Sequence, residues 1–302
     1  MAIVLGDNQY GKAETHVVRV IRDTARHEVR DLVVSSLLRG DFEDAHVTGD
    51  QSAVLPTDTQ KNTVFAYAKK AGITSPEQFA VALARHFVDD VDTVTSAHVT
   101  VDEHRWERAP VDGTPHDHTF VQGTQEVRTV AVTVEGGSTH VLSGLSGLVL
   151  LKSTGSEFRG FLVDEFTTLE PTTDRVMATS VTARWRWSTI PADPDAAYDE
   201  VRTTLVSRFG GLHSLALQQT LWEMGRGVLE MRDDIAEIRL SAPNRHHIAV
   251  DLSWFGLENP GEVFHATDRP YGLIEVQVLR EDGADGEAPD HAPAWRAVPG
   301  FV

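Results

Sequence analysis

The chain has 302 residues, 41% of them apolar, which is enough for a sizeable core and about two domains by length. Lysine and arginine total 27 against 45 for aspartate and glutamate, a formal charge of −18 that opposes binding to nucleic acid or anionic membranes, so an anionic ligand needs a local basic site. There is no cysteine, which excludes disulfide frameworks and thiolate metal sites. In chain order the first half then reads strand, strand, helix, helix, strand, strand. Strand-like stretches lie near 17–21 and 32–38. A helix is expected over 58–70, with Val64, Tyr67 and Ala71 at compatible spacing, and Thr57 followed by Gln60 has the form of a helix N-cap. Ser75, Pro76, Glu77 and Gln78 form a capping box that opens a second helix, with Phe79, Leu83 and Phe87 on one face. Ala97, Val99 and Val101 alternate with His98, Thr100 and Asp102, and Val130, Val132 and Val134 with Thr129, Ala131 and Thr133, as half-buried strands do.

The second half repeats the order. Val181, Ala183, Trp185 and Trp187 alternate with Thr182, Arg184, Arg186 and Ser188, giving one apolar face and one cationic or hydroxylic face. Asp193 and Pro194 open a helix whose Ala197, Val201, Leu205 and Phe209 share a face, and Gly210 and Gly211 close it. Leu217, Leu221, Met224, Val228 and Met231 form the stripe of another helix, and strands near 248–252 and 273–278 finish the half. Each half is thus α+β, an antiparallel sheet with two helices packed on one face. The repeat lies in the order of elements, because the halves are not visibly similar residue by residue. The expected division is 1–138 and 139–280, followed by a surface tail over 281–302 that is rich in alanine, aspartate, glycine and proline.

Chemistry concentrates in LKSTGSEFRGFLVDEFTTLEPTTDR, residues 151–175. Phe158 and Arg175 stand there among glycines, hydroxyls and carboxylates, which suits a polar pocket with one flat wall and a planar anionic ligand. This run resembles the signature of the urate oxidase family. VLPTDTQKNTVF (54–65), SLALQQTLWEMG (214–225), SAPNRHHIAVDLSWF (241–255) and DRPYGLIEVQV (268–278) resemble that family in the same order. The resemblance implies two tandem tunnelling-fold (T-fold) modules and a homotetramer around a central channel. It implies oxidation of urate by dioxygen and water to 5-hydroxyisourate and hydrogen peroxide, with no metal or organic cofactor.

What urate is fits the residues that match the family motifs. It is a flat purine anion with carbonyl and N–H groups around its rim. Arg175 offers a rigid fork for two rim acceptors, Gln218 a donor and an acceptor in one amide plane, and Phe158 a stacking face. The resemblance further implies main-chain contacts at Asp58 and Leu217, where a valine is common, and an orienting role toward dioxygen or water for Asn244. It assigns proton removal to Lys12 and Thr57 assisted by His246, with Thr57 also touching the substrate. A lysine acting as a base needs a depressed pKa, and a hydroxyl between it and the ligand can relay the proton. Arg245 stands where many relatives have lysine, so charge is kept. Taken alone, each residue has an ordinary role: Lys12 a solvated lysine, Phe158 core, Gln218 a helix boundary. In the family, Lys12, Thr57 and Asp58 reach the pocket from one subunit and the others from its neighbour, so a monomer is expected to be inactive.

Two other classes stand beside this reading. His116 and His118 lie two apart, which on a strand puts both imidazoles on one face, as zinc-dependent pterin enzymes of the same broad fold require; a third ligand is not identifiable. A catalytically silent purine-binding protein is expected to lose Lys12 or Thr57, and both are present. The N-terminal MAIVLGDNQYGK has no signal-peptide form, no run approaches the roughly 18 apolar residues of a membrane span, and the C-terminal PGFV is not a peroxisomal signal. A cytoplasmic location is therefore expected.

Overall fold

The computed structural model describes residues 2–281. In chain order these form β1 (Tyr10–Ile21), β2 (Glu28–Gly40), a short α1 (Glu43–Val47), α2 (Thr57–Lys70), α3 (Pro76–Asp89), β3 (Val94–Glu103), β4 (Trp106–Val111), β5 (Thr114–Gln122) and β6 (Val127–Glu135). There follow β7 (Ser138–Lys152), β8 (Met177–Trp187), α4 (Pro194–Gly211), α5 (Leu217–Met231), β9 (Ile235–Ala249), β10 (Phe264–Thr267) and β11 (Leu273–Leu279). Strand, strand, helix, helix, strand, strand thus occurs twice, once α1, the β4–β5 hairpin and β10 are set aside.

The main strands form one antiparallel sheet in the order β1-β2-β3-β6-β7-β8-β9, where β10 and β11 both pair with β9. It runs unbroken through the β6–β7 hairpin, whose turn needs Gly136 and Gly137 at φ 57° and 82°. All four long helices cover the same face: α2 against β1, α3 against β3 and β6, α5 against β9 and β11, and α4 beside α5 and β7. The stripes of α3, α4 and α5 are buried as their spacing predicts, except that Met231 is 40% exposed. Phe79, Leu83 and Phe87 are almost wholly buried, each contributing about 1.5–3 kcal/mol. The caps also form: Ser75 Oγ accepts from the Gln78 N–H at 3.2 Å and Asp193 from the Ala196 N–H at 3.0 Å.

Several elements differ from the sequence expectation. The core stripe of α2 is Gln60, Val64 and Ala68, with Tyr67 half-buried and Ala71 exposed at the C-cap. β6 is buried on both faces, Thr129, Ala131 and Thr133 included. On the face away from the helices Arg184 lies across Gly144 of β7, the partner of Thr129, and donates to the Leu145 carbonyl at 3.3 Å, while the His98 ring meets the Thr133 hydroxyl at 2.9 Å. Burial lowers the Arg184 pKa to about 10, against the opposing charge of Asp102. The strand expected near 248–252 ends at Ala249 and lies mostly upstream, as β9. The expected tail lies outside the described residues apart from position 281. No described helix is long and apolar enough to cross a membrane.

Candidate active site

Lys12 of β1 lies on the face of the sheet that α2 covers, and its charge reaches Asp58, the neighbour of Thr57 in the first turn of that helix. Lys12 pairs with Ser36 on β2, so the two side chains share a face, and the Ser36 hydroxyl donates to Gln60 Oε1 at 2.8 Å. That bond holds the first turn of α2 on the face from which Lys12 projects. Strand β1 bulges between Lys12 and Thr15, with Glu14 at φ 55° and its N–H donating to Ser35 Oγ at 2.9 Å. Gly11 is required by close approach, since a Cβ there would sit 1.7 Å from the Ser36 carbonyl oxygen. Asp58 accepts from Lys61 and from Asn62 Nδ2 at 3.0 Å; the Lys61 hydrogen bond and charge, with a further pull from Lys12, hold its carboxyl below the usual range.

The N-cap expected at Thr57 is corrected. Pro56 occupies the cap position, Thr57 is the first helical residue, and no side chain caps the helix. Gln60, the expected partner, is turned into the core. The exposed Thr57 hydroxyl therefore has no hydrogen-bond partner among the described residues, and a hollow of about 550 Å³ lined by Tyr10, Phe42, Val54 and Pro56 adjoins it.

The second group forms around the start of β8. Phe158 exchanges backbone hydrogen bonds with Thr172, both at 2.9 Å, which brings the two limbs of the 154–175 excursion together. Asp174 closes its base, accepting from Thr154 Oγ1 at 2.6 Å and from the Gly155 N–H at 2.9 Å. The Arg175 guanidinium then lies 5.3 Å over the Phe158 ring, its Nε buried with no partner, and burial lowers its pKa. Phe161 stacks on Phe158 at 5.0 Å. Ser214, just before α5, is bonded to Gly155 and Glu157 and touches Met177 at the head of β8, so the Phe158 loop abuts the N-terminus of α5. Leu217 is the first residue of that helix and is buried; Gln218 is second, exposed and unpartnered among the described residues. On β9, Asn244 pairs with Thr179 of β8, and its Nδ2 lies 3.5 Å from His246 Nδ1.

A contrast among the helices gives this arrangement its electrostatics. The N-termini of α3 and α4 are capped by Ser75 and Asp193, whereas those of α2 and α5 have no side-chain cap. Among the four long helices, the uncapped ends are those that carry Thr57 and Asp58, and Leu217 and Gln218. Their unused N–H groups and helix dipoles favour an anion.

The two groups do not meet within one chain. Lys12 lies on β1 and Asn244 on β9, six strands apart, roughly 29 Å along the sheet at the usual strand spacing. Among the described residues no hydrogen bond, ion pair or ring contact links Lys12, Thr57 or Asp58 to Phe158, Arg175, Gln218, Asn244 or His246. His116 and His118 do come together on β5, ring centroids 4.4 Å apart, with His27 5.9 Å from His118. No group of three histidine, aspartate or glutamate residues among the described residues is placed to hold a metal. Glu157, His213, Asp174 and Phe161 line or brace the second group but carry no sequence signal of their own beyond lying inside or beside its motifs.

The sheet and its helix layer define an α+β protein of two tandem T-fold modules. A family model described as Uricase matches residues 8–133 and 141–275, and the chain belongs to the uricase family. The uricase of Arthrobacter globiformis is 50% identical over 299 residues, covering 99% of this chain and 96% of that relative. The uricase of Aspergillus flavus is 38% identical over 289 residues, covering 90% and 95%. The crystal structure of the Arthrobacter globiformis uricase superposes with a TM-score of 0.91 at 49% identity, covering 97% of this chain and all of that one. A uricase structure from Bacillus fastidious has a TM-score of 0.80 at 23% identity, covering 91% and 94%, and bears on the fold alone.

Proposed function

We propose that the two residue groups form one urate site shared between neighbouring subunits of a homotetramer, with modules 1–138 and 139–280 meeting at the β6–β7 hairpin. The activity is that of a urate oxidase: urate, dioxygen and water give 5-hydroxyisourate and hydrogen peroxide. Arg175 grips two rim acceptors, Gln218 pairs with a neighbouring carbonyl and N–H, and Phe158 stacks on the ring. The main-chain groups at Asp58 and Leu217 complete the rim. Lys12 removes a proton through the Thr57 hydroxyl, with help from His246, and the resulting urate dianion supplies the electrons that reduce dioxygen. Asn244 orients dioxygen, then water, above the ring. No metal or organic cofactor enters this scheme. Most support comes from Arg175, a partly buried guanidinium without a carboxylate partner, over an aromatic ring and beside an uncapped helix N-terminus.

The direct test is aerobic turnover of urate by metal-stripped protein, following urate loss and peroxide, with an oxygen-free control. Arg175→Ala is expected to raise the KM for urate about 10- to 100-fold while lowering kcat much less, because hydrogen bonds to a charged group bind the ground state as well. The shared site makes a separate prediction. Assayed at urate no higher than the wild-type KM, where each variant alone is poorly active, Lys12→Ala and Arg175→Ala subunits mixed and reassembled at random are expected to recover about a quarter of wild-type activity, one intact site per mixed pair. Activity that stays at the level of the separate variants after demonstrated subunit exchange refutes the sharing.

A further inference from the structure

The loop carrying Phe158 is fastened to the segment leading into α5 at three consecutive residues. Lys152 Nζ donates to the Leu212 carbonyl. The Glu157 carboxylate meets His213, Oε1 to Nε2 at 3.1 Å. Ser214 donates its N–H to the Gly155 carbonyl at 2.9 Å and accepts from the Glu157 N–H at 2.8 Å, a short parallel bridge. Glu157 also accepts from Arg159 Nε. Its side chain is 7% exposed, whereas those of His213 and Arg159 are 58% and 61% exposed. The other charged groups at this junction are Lys152 and Asp174, and both are occupied by main-chain and hydroxyl partners at the base of the loop. Glu157 is thus a sheltered carboxylate between the backbone of Phe158 and the approach to Gln218.

From this geometry we infer that Glu157 and His213 are positioning residues of the urate site, setting the separation between the Phe158 ring and the Gln218 amide and so the fit of the slot to a purine. The inference rests on the reading of Phe158, Arg175 and Gln218 as purine-binding residues. Neither Glu157 nor His213 need touch the substrate. A neutral imidazole protonated at Nε2 still donates to the carboxylate, so loss of the His213 charge leaves the bond in place. The hydrogen bond from His213, with Arg159, holds the Glu157 carboxyl below its usual range against burial. A lowered carboxylate keeps its bracing role above its unfolded pKa and loses it as pH falls through the folded value, so binding should weaken only in acid.

The test is urate binding without oxygen together with aerobic kinetics, across pH, for Glu157→Ala, Glu157→Gln and His213→Ala. Both alanine variants are expected to raise the oxygen-free Kd and the KM about tenfold, the effect of losing one hydrogen bond to a charged group, with kcat changed far less. Glu157→Gln keeps an acceptor for His213 but not the charge, so its affinity should lie between those of wild type and Glu157→Ala at neutral pH, close to that of wild type in acid, and its own acid limb of KM disappears because the amide does not titrate. His213 is exposed, so its variant decides the matter if Glu157→Ala does not fold. Wild-type Kd in folded His213→Ala, or an unchanged acid limb in Glu157→Gln, overturns the inference. Wild-type Kd in Arg175→Ala and Gln218→Ala would instead remove the purine site on which it rests.

Discussion

Lys12→Ala and Thr57→Ala are each expected to lower kcat roughly 10²- to 10⁴-fold, the usual worth of a positioned general base, with the KM for urate little changed. The structure removes the common confounder of such a result. Thr57 makes no capping hydrogen bond, so its hydroxyl is not part of the stability of α2, and Thr57→Ala should unfold within about 0.5 kcal/mol of wild type, as exposed substitutions do. Lys12 projects on the α2 face because Ser36, its cross-strand partner, is bonded to Gln60 there. A relay predicts non-additivity: the double variant should be about as slow as the slower single one, since either change breaks the same proton path. Lys12→Arg separates charge from basicity, because a guanidinium retains its proton, and it should be nearly as slow as Lys12→Ala. Thr57→Ser should keep most of the turnover. Full turnover in Lys12→Ala would take that residue out of the mechanism.

Elements were legible in the sequence where pattern and packing agree. The capping box at Ser75 and the stripe Phe79, Leu83, Phe87 specify α3 locally, and Trp185 and Trp187 mark the helix-facing side of β8. Elements whose pattern is interrupted for a structural reason were hidden. Strand β7 contains Gly144, where Arg184 crosses the sheet, and Gly147 at φ 74° beside a register shift, so its alternation breaks midway. Strand β9 contains Pro243, which argues against a strand by itself; the chain continues because Asn244 donates to the Gly272 carbonyl at 2.8 Å. The site divides in the same way. Lys12, Thr57 and Asp58 are proposed through motif resemblance, and the geometry adds that the Lys12 strand and an uncapped helix end lie on the same face. The pairing of Glu157 with His213 spans 56 residues, and a contact of that range leaves no periodic trace in a single sequence. Thr57 misled for a physical reason: a threonine three residues before a glutamine signals a cap only if the glutamine stays outside, and this one is needed in the core by Ser36.

The largest expected loss of stability comes from Arg128. This side chain is 1% exposed and joins the two halves of the molecule. It donates to Glu77 of α3 at 2.6 Å, to Asp195 of α4 at 2.5 Å and to the Pro194 carbonyl at 3.3 Å, and its guanidinium lies 4.8 Å over the Tyr198 ring. Glu103 shares it at 3.3 Å and is itself bridged to Arg30 at 2.8 Å, while Ser143 donates to Glu77 at 2.7 Å. Burial opposes the charge of Arg128, but Glu77 and Glu103 outweigh it and hold the guanidinium protonated, above the ordinary arginine range. Two cations thus serve three carboxylates in a nearly dry junction. Arg128→Met fills much of the volume yet leaves Glu77, 0% exposed, with no cation, and should cost about 3–5 kcal/mol in urea unfolding at fixed protein concentration. Adding Glu77→Gln should recover part of that loss, because the buried charge goes with its partner; lysine at 128 should not restore the stability fully, since it lacks the fork that reaches Glu77 and Asp195 together. The pH dependence has a definite sign. Burial raises the Asp195 pKa but the two arginines lower it further, so its contribution is present above the unfolded aspartate pKa and is lost as pH falls through the depressed folded value. The gap between wild type and Arg128→Met should therefore persist at neutral pH and close only in acid. A variant that unfolds within about 1 kcal/mol of wild type at neutral pH would show that the halves are held by their continuous sheet and apolar core, with the buried charges incidental.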